Sequence, residues 1–147
     1  MSIPRILLAD DDVNFLQALT VRLRAEGFDV IVAQDAVQTL QFARQQEPDL
    51  LLLDINMPAG DGFSVHQRLR EQPDLPEIPV VFVTGDRSER VQRMAAAARA
   101  TLLYKPFDTA ELLRAIGRGL GNTPARDDAL ASLQAAADAL THRPRTD

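Results

Sequence analysis

The chain of 147 residues is 46% apolar and 25% charged, which allows one domain with a core of its own and excludes a disordered polymer. The absence of cysteine excludes disulfides, thiolate nucleophiles and Cys-ligated zinc, and a net charge of −5 argues against a dedicated nucleic-acid binder. No apolar run approaches the about 18 residues of a membrane helix, and Ile6 to Ala9 leads into Asp10-Asp11-Asp12 without a signal-peptide cleavage site, so a cytoplasmic domain with no membrane partner is expected.

Short apolar runs alternate with stretches of helical period. Ile6-Leu7-Leu8-Ala9 reads as a strand buried on both faces. Phe15, Leu16, Leu19 and Leu23 recur at helical spacing, and Gly27 supplies the stop. Val30 to Ala33 is strand-like, and Val37, Leu40, Phe42 and Ala43 mark a second helix that ends before Pro48. Leu50 to Leu53 make a third strand, with Phe63, Val65, His66 and Leu69 on the helix after it. Pro79 to Val83 is a fourth strand whose proline stands first, where no ladder donor is missed. Ser88 is the N-cap of a helix through Val91, Met94 and the following alanines. Thr101 to Tyr104 gives a fifth strand, and Asp108 with Glu111 forms a capping box for a helix through Leu112, Leu113 and Ile116. Five strand–helix units in strict alternation predict an α/β fold in which helices cover both faces of a parallel sheet.

In such sheets polar chemistry gathers at the carboxyl ends of the strands. Asp10 and Asp11 end the first strand, Asp54 the third, Thr84 the fourth and Lys105 the fifth, so one edge of the sheet brings them together. A carboxylate at the end of LLLLD either sits just past the strand in water or loses hydration at a cost that a site supplying a cation would offset. Three carboxylates in one place repel each other, and a hard divalent cation such as Mg²⁺, which takes oxygen ligands, relieves the repulsion. The Thr84 hydroxyl and the Lys105 ammonium suit the remaining oxygens of a phosphoryl group. A carboxylate nucleophile beside a metal is the chemistry of aspartyl-phosphate formation, with Asp54 as the attacking group.

The segments ILLADDD, LLLLDINMPAGDG, VFVTG and LYKPFDTAELL, in this order over residues 4 to 120, resemble the receiver domain of two-component response regulators. The resemblance implies a flavodoxin-like, doubly wound five-stranded sheet of order 2-1-3-4-5, with the receiver over residues 1–121. It also implies that Asp54 accepts a phosphoryl group from a histidine kinase or phosphotransfer protein. Asp11 would bind Mg²⁺ directly, Asp10 mostly through water, and Asn56 through its backbone carbonyl. Lys105 would pair with the phosphoryl oxygens, Thr84 would move toward them on activation, Gly85 would leave them room, and the Lys105–Pro106 peptide would be cis. Output would pass through the helix 4–strand 5–helix 5 face to a protein partner. Such a domain catalyses its own phosphotransfer and is not an enzyme for outside substrates.

The sequence departs from the family at Leu102, where receivers usually carry Tyr or Phe; Tyr104 stands two residues on, on the same strand face. With no aromatic at the switch position, activation is expected either to run through Thr84 and helix 4 alone or to be weakly coupled. Leu102 also sustains the alternative of a pseudo-receiver, an interaction module that works without phosphorylation. A second departure is MAAAARA ahead of strand 5, where a Gly-Ala pair is common. Polar residues at Asn56 and Asp86 are compatible with a short-lived phosphoryl state. Asp12 reads as an N-cap, Asp61 as turn chemistry with Gly60 and Gly62, His66 and His142 as solvent-facing, and Arg87, Arg90 and Arg93 as a solvated helix face.

Two other classes fit less well. An aspartate-nucleophile phosphatase of the haloacid dehalogenase type wants a second aspartate where Asn56 stands. A flavin module has no need of the acidic pair or of Lys105. Residues 122–147 read as a linker and a short amphipathic C-terminal helix, with Leu130, Leu133, Ala137 and Leu140 at heptad spacing and a polar, disordered end. That seam is equally suited to docking on its own domain and to a homodimer. No helix-turn-helix fits in those residues, so direct nucleic-acid binding is not expected.

Overall fold

The computed structural model describes residues 3–58 and 60–121. The chain runs β1 (Arg5–Ala9), α1 (Val13–Ala25), β2 (Asp29–Ala33), α2 (Ala36–Gln46), β3 (Leu50–Asp54), α3 (Gly62–Arg70), β4 (Val80–Thr84), α4 (Glu89–Ala97), β5 (Thr101–Tyr104) and α5 (Thr109–Leu120). All four strand pairings are parallel, and the sheet order is β2-β1-β3-β4-β5, as expected for the doubly wound fold. The C-terminal helix and its linker expected from the sequence lie outside the described residues.

The unbroken apolar runs follow from burial on both sheet faces. Along β1, β3 and β4, Ile6, Leu8, Leu50, Leu52, Val81 and Val83 pack with Leu16, Leu19 and Leu23 of α1 and Leu112, Leu113 and Ile116 of α5. The alternate residues Leu7, Ala9, Leu51, Leu53, Val80 and Phe82 pack on the other face with Ala43, Val65, Leu69, Val91 and Ala95 of α2, α3 and α4. A period of two therefore serves two cores at once, which leaves no polar position inside the central strands. Each fully buried leucine contributes about 1.5–3 kcal/mol of hydrophobic stabilisation.

The helix ends are set by side chains. Asp12 caps α1 through the Phe15 N–H, Asp35 caps α2 through Gln38, Ser88 caps α4 through Val91, and Asp108 with Glu111 makes the capping box of α5. Asp61 belongs to this group rather than to a simple turn, because its carboxylate accepts from the Ser64 N–H at 2.8 Å and so caps α3. Each such cap is worth about 1 kcal/mol. At the other ends, Gly27 adopts φ +93° beyond α1, and Glu47 adopts φ 50° directly before Pro48.

Two further expectations are corrected. His66 is buried, 7% exposed, with its ring edge-on to Phe82 at 5.7 Å, because α3 turns that position toward β4. Val37 points to solvent at 64% exposure, and α2 instead buries Ala36, Thr39 and Ala43.

Candidate functional site

The strand ladders run one residue past β1, β3 and β5, and that extension fixes the site. Asp10 N–H donates to the Ala33 carbonyl at 3.2 Å, Ile55 N–H to Val83 at 3.1 Å, and Lys105 N–H to Thr84 at 2.8 Å. Asp54 is the last residue of β3, beside Val83, and Thr84 is the last residue of β4, beside Tyr104. The sequence-predicted residues thus meet at the carboxyl edge, where β1 and β3 adjoin and the chain reverses its winding.

One oxygen from each of Asp10, Asp11 and Asp54 lies within 4.8 Å of the other two. Asp10 is 1% exposed and Asp54 7%, whereas Asp11 faces solvent. Both Asp10 oxygens accept a bond: Oδ1 from the Asp12 N–H at 2.9 Å, and Oδ2 from Lys105 Nζ at 2.8 Å. Burial raises the pKa of the Asp54 carboxyl to about 6, the neighbouring charge of Asp10 adds to this, and Lys105 and the Asn56 N–H pull in the opposite direction. One ammonium among three carboxylates does not balance them. The donor set is all oxygen, half-buried and open on the Asp11 side, which is what a small hard cation requires.

Thr84 is 1% exposed, and its Oγ1 accepts from the Asp86 N–H at 2.9 Å, which leaves the hydroxyl hydrogen to be donated elsewhere. Asp86 in turn accepts from the Ser88 N–H at 2.9 Å, and this bond holds its carboxyl below the usual range. Asn56 presents its backbone N–H 3.4 Å from Asp54 Oδ1 and is otherwise exposed. The Lys105–Pro106 peptide is cis.

Four contributors were not legible as site residues. Phe15 lies beneath Lys105, with Nζ 4.2 Å from the ring centroid, and meets Phe107 edge-on at 6.1 Å. Arg87 is not on the α4 face but stacks on Tyr104, 4.5 Å from the ring centroid. Gly62 closes the β3–α3 loop through its N–H to the Ile55 carbonyl at 2.9 Å, and a Cβ there would stand 2.7 Å from the Asp54 carbonyl oxygen. That glycine was visible as a turn residue, but its approach to Asp54 needs the loop's course.

Residues 6–117 match the response regulator receiver domain family, and the chain belongs to that family. It is 38% identical over 112 residues to the DNA-binding dual master transcriptional regulator RpaA of Synechocystis, covering 75% of this chain and 46% of that protein. It is likewise 38% identical over 123 residues to the transcriptional regulatory protein PrrA of Mycobacterium tuberculosis, covering 82% of this chain and 52% of that one. The chain therefore spans about half the length of these curated relatives. Among solved structures, the chemotaxis protein CheY4 of Vibrio cholerae aligns with a TM-score of 0.75 at 28% identity, over 81% of this chain and all of that one. The receiver domain of the sensor histidine kinase PA1611 from Pseudomonas aeruginosa, solved with a magnesium ion in its active-site cleft, aligns with a TM-score of 0.73 at 28% identity, over 82% of this chain and 99% of that one. Among the described residues, no helix is long and apolar enough to cross a membrane.

Proposed function

We propose that the domain takes a phosphoryl group from the phosphohistidine of a histidine kinase or phosphotransfer protein onto Asp54, with Mg²⁺, in a cytoplasmic two-component or phosphorelay system. The observation that carries this is the convergence of Asp10, Asp11 and Asp54 with Lys105 and Thr84 at one sheet edge. Asp10, Asp11, Asp54 and the backbone of Asn56 would hold the cation, whose charge neutralises the carboxylates and the phosphoryl oxygens when bound.

A carboxylate with a pKa of about 6 is mostly ionised at pH 7.5, so Asp54 can attack. Its oxygen forms the new bond to phosphorus, the P–N bond to the donor imidazole breaks, and the imidazole leaves with its electron pair and is protonated by solvent. Lys105 meets the developing charge on one phosphoryl oxygen, and Thr84 donates its hydroxyl hydrogen to another. The Asp54 backbone is already fixed by the β3 ladder, so little ordering is left for the reaction step. The domain acts only on itself, and the α4–β5–α5 face carries the change to a protein partner.

Intact-mass spectrometry after incubation with acetyl phosphate and Mg²⁺ tests this. One phosphoryl adduct is expected in the parent, and none with Asp54→Asn or with EDTA. No adduct in the parent, together with no Mg²⁺ binding, would leave the phosphorylation-independent interaction module that Leu102 favours.

A further inference from the structure

Lys105 reaches the site on a four-carbon stem, and such a stem carries about 2 kcal/mol of rotamer entropy that competes with any fixed placement. Its ammonium is restrained by two groups. Asp10 Oδ2 accepts from Nζ at 2.8 Å, and Nζ lies over the face of Phe15, 4.2 Å from the ring centroid. The Phe15 ring is itself held. Its backbone N–H donates to the α1 cap Asp12 at 3.2 Å, its edge meets Phe107 at 6.1 Å, and both rings pack on the core shared by α1 and α5.

The two restraints differ in kind. Asp10 belongs to the acidic cluster, so a cation drawn to that cluster competes with Lys105 for its oxygens. Phe15 is a neutral quadrupole that attracts the ammonium without neutralising it, so a lysine resting on it keeps its full charge for an incoming phosphoryl oxygen. With 29% of its side chain exposed, Lys105 retains access to a ligand.

We infer that Phe15 is a positioning residue for Lys105, holding the ammonium at the mouth of the site once Asp10 turns to the cation. The inference rests on the proposed phosphotransfer. Phe15 touches no reacting atom and acts through Lys105 alone.

The test follows phosphorylation of the full chain by acetyl phosphate and Mg²⁺ over time, by intact mass. Phe15→Leu removes the π face at similar volume, and Phe15→Tyr keeps it. Phe15→Leu is expected to react about two- to fivefold more slowly than the parent, and Phe15→Tyr at the parental rate. In a Lys105→Ala background, Phe15→Leu is expected to add no further loss. The Lys105 side-chain methylene protons should show a ring-current shift in the parent and in Phe15→Tyr that disappears in Phe15→Leu. If Phe15→Leu does not fold, Phe15→Met replaces it. Equal rates for parent and Phe15→Leu, or an undiminished loss in the Lys105→Ala background, overturn the inference and leave the phosphotransfer standing. No adduct in the parent overturns both.

Discussion

The guanidinium of Arg87 rests on the ring of Tyr104, 4.5 Å from its centroid, and ties the loop that leaves Thr84 to the strand that carries Lys105. Thr84 and Tyr104 are register partners, and Thr84 accepts from the Asp86 N–H one residue before Arg87. The family's aromatic position is filled by Leu102, which packs against the core of the α2–α3–α4 face. The tyrosine is thus engaged by the loop between β4 and α4. Arg87→Ala should leave global stability within about 1 kcal/mol of the parent, since an exposed cation–π pair is worth about 0.5–1 kcal/mol. It should also raise amide hydrogen exchange over residues 85–88. Unchanged exchange there would mean that the stacking does not restrain the loop.

Asp54 makes the metal-free protein less stable as pH rises from about 4 to about 6. Its folded pKa of about 6 exceeds the ordinary 3.8, so between those values the folded chain holds the extra proton, and stability falls as pH rises through that window. Asp54→Asn keeps the shape and removes the charge. In EDTA at pH 7.5 it should be more stable than the parent by about 1–3 kcal/mol, and the difference should close below pH 4. Urea unfolding at the two pH values measures this, and parallel curves would show that burial does not strain the carboxylate.

His66 works in the opposite sense. Burial, and then Arg70, lower its pKa below 6.5, against a weaker pull from Glu77. The unfolded chain therefore protonates first on acidification. The stability that depends on a neutral His66 is complete above pH 6.5 and is lost as pH falls below it. Asp54 is common to both proteins and cancels from the comparison of the parent with His66→Leu. The parent should lose more stability than His66→Leu between pH 7.5 and pH 5. Equal losses would remove His66 from the acid response.

Gly62 and Gly85 should respond oppositely to alanine. A Cβ at Gly62 meets the backbone of Asp54 and Ile55 at 2.7 and 3.2 Å, where neither atom can yield. Gly62→Ala should cost about 1–3 kcal/mol in stability. At Gly85 a Cβ has nothing within 4 Å, so Gly85→Ala should leave the unfolding midpoint almost unchanged. A neutral Gly62→Ala would mean that the loop can relax without moving Asp54.

The parts of the molecule that were legible in the sequence are those fixed by local chemistry. Asp12, Ser88 and Asp108 announce helix starts because a cap bonds to an N–H about three residues ahead. Leu50 to Leu53 announce a strand because both faces are covered, and the polar residue that ends each run then marks the edge. Other features depend on how elements far apart in sequence pack. His66 read most simply as a solvent-facing polar side chain, and only the docking of α3 on β4 shows that it is buried. Asp61 sits among glycines that read as a turn, although the turn is the entrance to α3. The pairing of Phe15 with Lys105 spans the whole domain, and no spacing rule connects them.

The alternating burial of β3 divides the site into a fixed half and an adjustable half. Asp54 ends a strand whose four leucines are clamped between two layers, so it cannot recoil without disturbing both cores. Asp11, Lys105 and Arg87 stand at the rim with their heads partly or fully in solvent. A group arriving at the site therefore meets an anvil on one side and yielding parts on the other. Whatever displacement its arrival causes is directed outward, toward the loops that follow β1, β4 and β5.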